Sequence, residues 1–266
     1  MAKPLILLTN DDGVESPGLH AAVRALRGLG ELMIVAPREQ QSSKGRSFSW
    51  KQRPVVRTTR HVANTRVETI AVDASPAVCV RYALMLEVPR RPALVVSGIN
   101  YGENLGSGLT ISGTVGAALE AAADGVPALA VSLETDKESH LSHSPDIDFT
   151  VAARWTRKMA EQILTRSLSH LAPVVNVNVP SDATAKTKWR VTRASHQAYF
   201  RSTIADGQFV GYDVVVNREA LERDSDICAV LVDRVISVTP LTYDLTMHAA
   251  MRAFKVKLRG LGNGHR

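Results

Sequence analysis

Short apolar runs that stop abruptly in polar residues, with helical patterns between them, constrain this chain more than any other feature. Leu5-Ile6-Leu7-Leu8 passes directly into Thr9-Asn10-Asp11-Asp12-Gly13, and Leu94-Val95-Val96 into Ser97-Gly98-Ile99-Asn100. A run that is apolar at every position suits a strand covered on both faces, which calls for a mostly parallel sheet flanked by crossover helices. The expected strands span residues 4–9, 31–36, 94–96, 128–133 and 174–179, the last being the final strand of the core. Helical patterns occupy residues 18–29, with Leu19, Ala22, Val23 and Leu26 on one face, and residues 75–86, with Ser75 as cap and Pro76 in the first turn. A third begins at Ser112 and stops at Gly125, and Val151, Trp155, Met159 and Ile163 recur every four residues in a fourth. Residues 38–69 read as a polar loop followed by an irregular stretch. Beyond Pro180 only isolated runs remain, at 213–216 and 235–238, which suit hairpins or extended arms. An α/β core over residues 1–180 followed by an arm and hairpin region over 181–266 is therefore expected.

In an open α/β sheet, ligands gather beyond the carboxyl ends of the strands, so the polar residues there are the first functional candidates. Asp11 and Asp12 end the first strand side by side. Adjacent carboxylates repel unless a cation or strong solvation offsets them, and an Asn-Asp-Asp-Gly turn is the plain alternative. Carboxylate, hydroxyl and amide oxygens are hard ligands that favour Mg²⁺, Mn²⁺ or Ca²⁺ over zinc. The loop from Ser97 to Gly116 carries glycines at 98, 102, 106, 108, 113 and 116, where backbone N–H groups can approach an anion. Its last turn opens a helix at Ser112-Gly113-Thr114, a start that favours phosphate.

Several chemistries are set aside by spacing. Neither G-x-G-x-x-G nor G-x-x-x-x-G-K-[ST] is present, and the eight histidines form no H-E-x-x-H pair. No G-x-S-x-G elbow occurs, and Asp11 and Asp12 are neighbours rather than Asp-x-Asp, so the covalent aspartyl chemistry of haloacid-dehalogenase phosphatases lacks its signature. A receiver-like signalling module would use an acidic pair to hold Mg²⁺ and Asp73 as phosphate acceptor, yet no lysine ends a later strand as that module requires. His140 and His143 lie in a polar segment and are expected to face solvent. The net charge of +6 comes from dispersed Lys and Arg, without the basic stripe and aromatics of a nucleic-acid surface. No apolar run approaches the roughly 18 residues of a membrane span, and the N-terminal run is short for a signal segment. With only Cys79 and Cys228, both in apolar stretches, a cytoplasmic protein with reduced thiols is expected.

Taken together, Leu7-Leu8-Thr9-Asn10-Asp11-Asp12-Gly13 with Pro17-Gly18, Ala36-Pro37 followed by Ser42 and Gly45, and Ser97-Gly98-Ile99-Asn100-Tyr101-Gly102-Glu103-Asn104-Leu105-Gly106 resemble the SurE family of 5′/3′-nucleotidases. Ser112-Gly113-Thr114-Val115, Asn176-Val177-Asn178-Val179-Pro180 and Val238-Thr239-Pro240-Leu241 extend the likeness over nearly the whole chain. The resemblance implies a Rossmann-like core, C-terminal arms exchanged in a homodimer or homotetramer, and hydrolysis of nucleoside 5′- and 3′-monophosphates. It implies one divalent metal per subunit at Asp11, Asp12, Ser42 and Asn100, with the two aspartates in the catalytic role. Phosphate and substrate contacts are expected from Asn10, Ser43, Gly98, Asn104, Gly106, Ser112, Gly113 and Thr114. Asp11 and Asp12 are expected in a solvated cleft, and water or one of them is the nucleophile. Ile111, where the family usually has an aromatic or histidine, and Val78, where an acidic residue is usual, depart from the pattern. Tyr101, Trp50, Phe48, Tyr199 and Phe200 are the aromatic candidates for the base, and Arg193 and Arg201 for a phosphate reached from a neighbouring subunit. A phosphatase or exopolyphosphatase for a non-nucleotide substrate is the rival reading, because the motifs specify phosphate and metal more than the leaving group.

Overall fold

The apolar runs become the strands of one sheet. The computed structural model describes residues 3–49, 55–62, 65–166 and 168–260. In chain order its elements are β1 (Leu5–Thr9), α1 (Pro17–Leu26), β2 (Glu31–Pro37), β3 (Val55–Val62), β4 (Thr65–Val72), α2 (Pro76–Tyr82), β5 (Leu94–Tyr101), α3 (Gly113–Ala123), β6 (Ala128–Leu133) and α4 (Thr150–Arg166). They continue with β7 (Val174–Val179), β8 (Trp189–Val191), β9 (Phe200–Ala205), β10 (Gln208–Val214), β11 (Ile236–Leu241) and α5 (His248–Lys257).

Nine strands form the main sheet in the order β3-β4-β2-β1-β5-β6-β7-β11-β8. From β4 to β7 every pairing is parallel, and these six strands follow the doubly wound order in which the chain departs from β1 in opposite directions for β2 and β5. The expected mostly parallel, Rossmann-like sheet is thus observed. β1, β5, β6 and β7 are buried at every residue, which is why their sequences are mostly apolar on both faces, with the few polar side chains among them, Thr9, Ser97, Asn100, Ser132, Asn176 and Asn178, buried as well. α1 and α4 cover one face, burying Leu19, Leu26, Trp155 and Ile163, while α2 and α3 cover the other around Val80, Val115 and Ala118.

Three local features differ from expectation. The irregular stretch before Thr69 contains the hairpin β3–β4, whose outer strand is exposed at most positions and carries Arg57 and Arg60. An edge strand with one partner and charged side chains lacks the apolar signature of its buried neighbours. α1 ends at Leu26 rather than Leu29, because Gly28 turns the chain into the left-handed region with φ +87°. The sheet also continues past β7: β11 adds antiparallel to it and β8 pairs on β11. Pro240 is compatible with that strand because β8 pairs only with Ile236–Val238, so the missing N–H falls beyond the β8 ladder.

Gly18 is where α1 meets β5. A Cβ there would lie 2.0 Å from the Ile99 carbonyl oxygen and 3.1 Å from its carbon, both backbone atoms that have no room to move. Gly18→Ala is expected to destabilise the fold by about 3 kcal/mol, read as a fall in Tm of roughly 6 to 12 °C. An unchanged Tm would show that α1 can slide off β5 freely.

Candidate active site

β1 and β5 are adjacent at the point where the strand order reverses, so their carboxyl ends face one crevice. A cavity of about 460 Å³ opens there, lined by Asp11, Ser42, Ser43, Asn100 and Ser112 on its polar side. Asp11 follows β1, Asn100 belongs to β5, and Ser112 caps α3, where its hydroxyl accepts the Val115 N–H at 3.1 Å. Ser42 and Ser43 sit on the exposed loop after β2, with Ser43 at φ +59°. That loop is tied down by the Gly45 N–H donating to the Ile111 carbonyl at 2.9 Å and by Arg46, which pairs at 2.6 Å with buried Glu120 of α3.

Both aspartates are buried, Asp11 at 5% exposure and Asp12 at 1%, which corrects the expectation of a solvated cleft. The Thr114 hydroxyl donates to Asp11 Oδ1 at 2.5 Å, and the amides of Gly113 and Thr114 bond the same carboxylate. The N-terminus of α3 therefore carries an anion already, and that anion is Asp11. Burial pushes the Asp11 carboxyl above its ordinary value against the pull of those donors. Asp12 lies one layer deeper, accepting weakly from Gln40 Nε2 at 3.3 Å and from the Tyr101 N–H at 3.4 Å. Burial first, and the negative charge of Asp11 second, hold Asp12 well above the usual carboxylate range.

Two like charges held this close in a dry site fit a dication as their counter-charge. Asn100 adds a neutral oxygen: its Nδ2 donates to the Tyr101 and Gly102 carbonyls at 3.1 and 2.7 Å, which turns Oδ1 away from them. No three His, Cys, Asp or Glu side chains converge among the described residues, so the available donor set is two carboxylates with hydroxyl and amide oxygens, suited to a hard cation.

Several expected phosphate contacts serve the scaffold instead. Asn10 is fully buried and donates to the Gly13 carbonyl at 2.9 Å, making the turn that the plain reading of Asn-Asp-Asp-Gly predicts. Gly98 lies inside β5, where a Cβ would stand 2.3 Å from the Val131 carbonyl oxygen. The Gly106 N–H donates to buried Asp226 at 2.9 Å, the Asn104 N–H to Asn178 at 2.8 Å, and the Gly102 N–H to the Leu133 carbonyl at 2.8 Å. The glycine-rich loop is thus tied into the protein through amides expected to meet phosphate, because a buried N–H must find a partner. Gly113 and Thr114 hold Asp11, as described, and Asn104 lies at the cavity edge with its Nδ2 on Ser132.

Other candidates divide in the same way. Tyr101 and Tyr199 are core residues at 3% and 2% exposure, Phe48 lies under Arg81, and Trp50 falls outside the described residues. Arg193 pairs with Asp224 and Glu222 on the surface. Ile111 stands at the cavity rim, whereas Val78 packs against the core behind α2. His140 and His143 are half-buried rather than exposed, and His140 lines the cavity, held in place by the β9–β10 hairpin. Gln40, Asp226 and the Asn176–Asn178 pair escaped the sequence reading of the site. Asparagines at alternate positions of an otherwise apolar strand were the available signal for the last two.

Glu103, also on the cavity, is 4% exposed, and burial pushes its carboxyl up to about 7, against the pull of the Tyr199 hydroxyl. The folded chain holds this proton more tightly than the unfolded chain does. The stability it confers is present below pH 4.5 and is lost as pH rises through 7. Glu103→Gln is expected to remove about 2 kcal/mol of the stability difference between pH 5 and pH 8, measured by denaturant unfolding at both. Parallel pH profiles for the two proteins would contradict this.

The family described as Survival protein SurE matches residues 6–201. The chain is 40% identical over 261 residues to 5′-nucleotidase SurE of Thermococcus gammatolerans, covering 96% of each, and 37% identical over 259 residues to 5′-nucleotidase SurE 1 of Thermus thermophilus, covering 96% and 98%. Its fold is similar to the crystal structure of the SurE protein from Aquifex aeolicus, with a TM-score of 0.73, 32% identity, and coverage of 96% of this chain and 99% of that one. The matched span includes the acidic pair, the serine loop and the Asn100 loop, and the chain belongs to the SurE family.

Proposed function

We propose that the chain is a metal-dependent phosphomonoesterase that hydrolyses nucleoside 5′-monophosphates, and 3′-monophosphates, to nucleoside and phosphate. The observation that carries this reading is the meeting of Asp11, Ser42, Asn100 and Ser112 on one cavity at the switch point of the sheet, with Asp12 directly behind. The nucleotidase name of the full-length relatives supports it. Asp11, Asp12, Ser42 and Asn100 would hold one Mg²⁺ or Mn²⁺, with Ca²⁺ able to occupy the same oxygens. When bound, the cation offsets the charge of the phosphate and its developing negative charge.

The chain's own groups do the positioning. Thr114 and the first amides of α3 fix the Asp11 carboxylate, and Gln40 links Asp12 to the His140 carbonyl, where its Nε2 donates at 2.7 Å. Asp11 or Asp12 would orient the attacking water and accept its proton, and Ser43 and Ser112, which line the same cavity, would meet the phosphoryl oxygens. A homodimer or homotetramer is supported by α5, which buries no residue within the chain and leaves Phe254 65% and Met251 56% exposed. The burial of Cys79 and Cys228, the chain's two cysteines, in apolar surroundings supports a reducing, cytoplasmic setting.

Phosphate release from 5′- and 3′-mononucleotides, ribose 5-phosphate and tripolyphosphate, each with added Mg²⁺ or Mn²⁺, tests the assignment. Highest kcat/KM on mononucleotides is expected. Preference for tripolyphosphate or the sugar ester would instead establish the non-nucleotide reading.

A further inference from the structure

The cavity is lined by two chemically different groups of side chains. Besides the acidic and hydroxyl residues, its wall includes Phe200 and Tyr212 of the β9–β10 hairpin and His140 of the short turn Lys137–Leu141. The His140 and Tyr212 rings lie nearly parallel, 13° apart with centroids at 6.0 Å. Phe200 stands edge-on to both, at 5.8 and 5.2 Å.

This wall is fixed rather than loosely gathered. His140 Nε2 is 3.2 Å from the Thr135 carbonyl, which can only accept, so Nε2 carries the proton and Nδ1 accepts the Tyr212 hydroxyl at 2.7 Å. Lys137 pairs with Asp213 at 3.0 Å and lies 5.4 Å from the centre of the Tyr212 ring, clamping the hairpin a second time. The His140 ring in turn packs on Gly102, where a Cβ would come within 2.6 Å of Nε2. The glycine-rich loop thus admits the ring that positions Tyr212. Phe200 and Tyr212 are half-buried, whereas Phe209 at the far end of the hairpin is 78% exposed.

We propose that Phe200, backed by Tyr212 and His140, is the nucleobase-stacking subsite of this cavity, and so determines its preference for nucleotides over other phosphate esters. The proposal rests on reading the acidic and hydroxyl residues as the phosphate site. A cavity of about 460 Å³ lies in the range of roughly 300 to 1,000 Å³ that encloses a single small ligand. Aromatic faces accept any base, because every base has a π-face, so the subsite favours nucleosides as a class over bare sugar phosphates.

The test uses the metal-loaded enzyme and two independent readouts. Adenosine, which lacks phosphate, is titrated calorimetrically against wild type, Phe200→Ala and Phe200→Tyr. KM and kcat are measured in the same preparations for adenosine 5′-monophosphate and for ribose 5-phosphate. Phe200→Ala is expected to weaken adenosine binding and raise KM for the nucleotide by about 10-fold each. Its kcat stays within about twofold and ribose 5-phosphate is unaffected, because the missing ring acts on binding of the base alone. Phe200→Tyr restores nucleotide KM. Adenosine affinity that is absent in wild type or unchanged in Phe200→Ala overturns the proposal, as does an equal loss on both esters. If wild type releases phosphate from neither ester, the hydrolytic reading fails, and the adenosine titration still decides the subsite.

Discussion

Asp11→Asn is expected to lower kcat/KM for a nucleoside monophosphate by about 10²- to 10³-fold while the protein stays folded. The substitution keeps the shape of the side chain and removes its charge. Asn10, Gly113 and Thr114 remain in place around it, and the Thr114 hydroxyl can still donate to the amide oxygen. What disappears is one of the two negative charges that a dication would bridge. The same change relieves the repulsion between Asp11 and Asp12, both almost fully buried. Metal-free Asp11→Asn should therefore unfold at a Tm equal to or above that of metal-free wild type, so activity falls as stability holds or rises. Such opposition is characteristic of a site whose charges are kept for chemistry. A large loss of both activity and Tm would make Asp11 a structural residue instead.

The second large effect is expected at a residue with no side chain. A Cβ at Gly113 would stand 2.7 Å from both Cβ and Oδ2 of Asp11. Either the carboxylate turns away or the first turn of α3 retreats, and both break the bonds from the Gly113 and Thr114 amides. Gly113→Ala is expected to cost about 10²-fold in kcat/KM, because a displacement near 1 Å at a reacting group has that scale. Gly108→Ala is the matched comparison, since a Cβ there meets nothing within 4 Å. It should keep nearly full activity. Equal activity in the two variants, measured under saturating metal, would show that α3 does not set the position of Asp11.

Legibility in the sequence followed burial. β1, β6 and β7 were readable nearly to the residue because a strand covered on both faces is rich in apolar residues on both, and Ser75-Pro76 and Ser112-Gly113-Thr114 announced their helices through cap chemistry. β3 and β8 were hidden because edge strands share their composition with loops; the run at 235–238 was legible as extended, but not as β11 joining the core sheet beside β7, because nothing local in its sequence names its partner strand. The strand-end rule brought Asp11, Ser42 and Asn100 to one cavity. It did not reveal which amides remain for a ligand. Gly106 and Asn104 have the right chemistry for anion binding, but their N–H groups meet Asp226 and Asn178, partners more than 70 residues away that no local pattern connects. Of the aromatic wall only Phe200 was among the sequence's base candidates, since Tyr212 and His140 become its neighbours only when the hairpin folds.

On the proposed reading, the Asp11–Asp12 pair holds a divalent cation on which phosphate release depends. The most direct test is to titrate metal-stripped protein with Mn²⁺, following bound metal and phosphate release from adenosine 5′-monophosphate in the same samples. Activity is expected to rise from near zero in proportion to bound metal, reaching its plateau at one ion per subunit, while Asp11→Asn shows neither tight binding nor recovery. Activity that survives metal removal, or equal Mn²⁺ binding by wild type and Asp11→Asn, would contradict it.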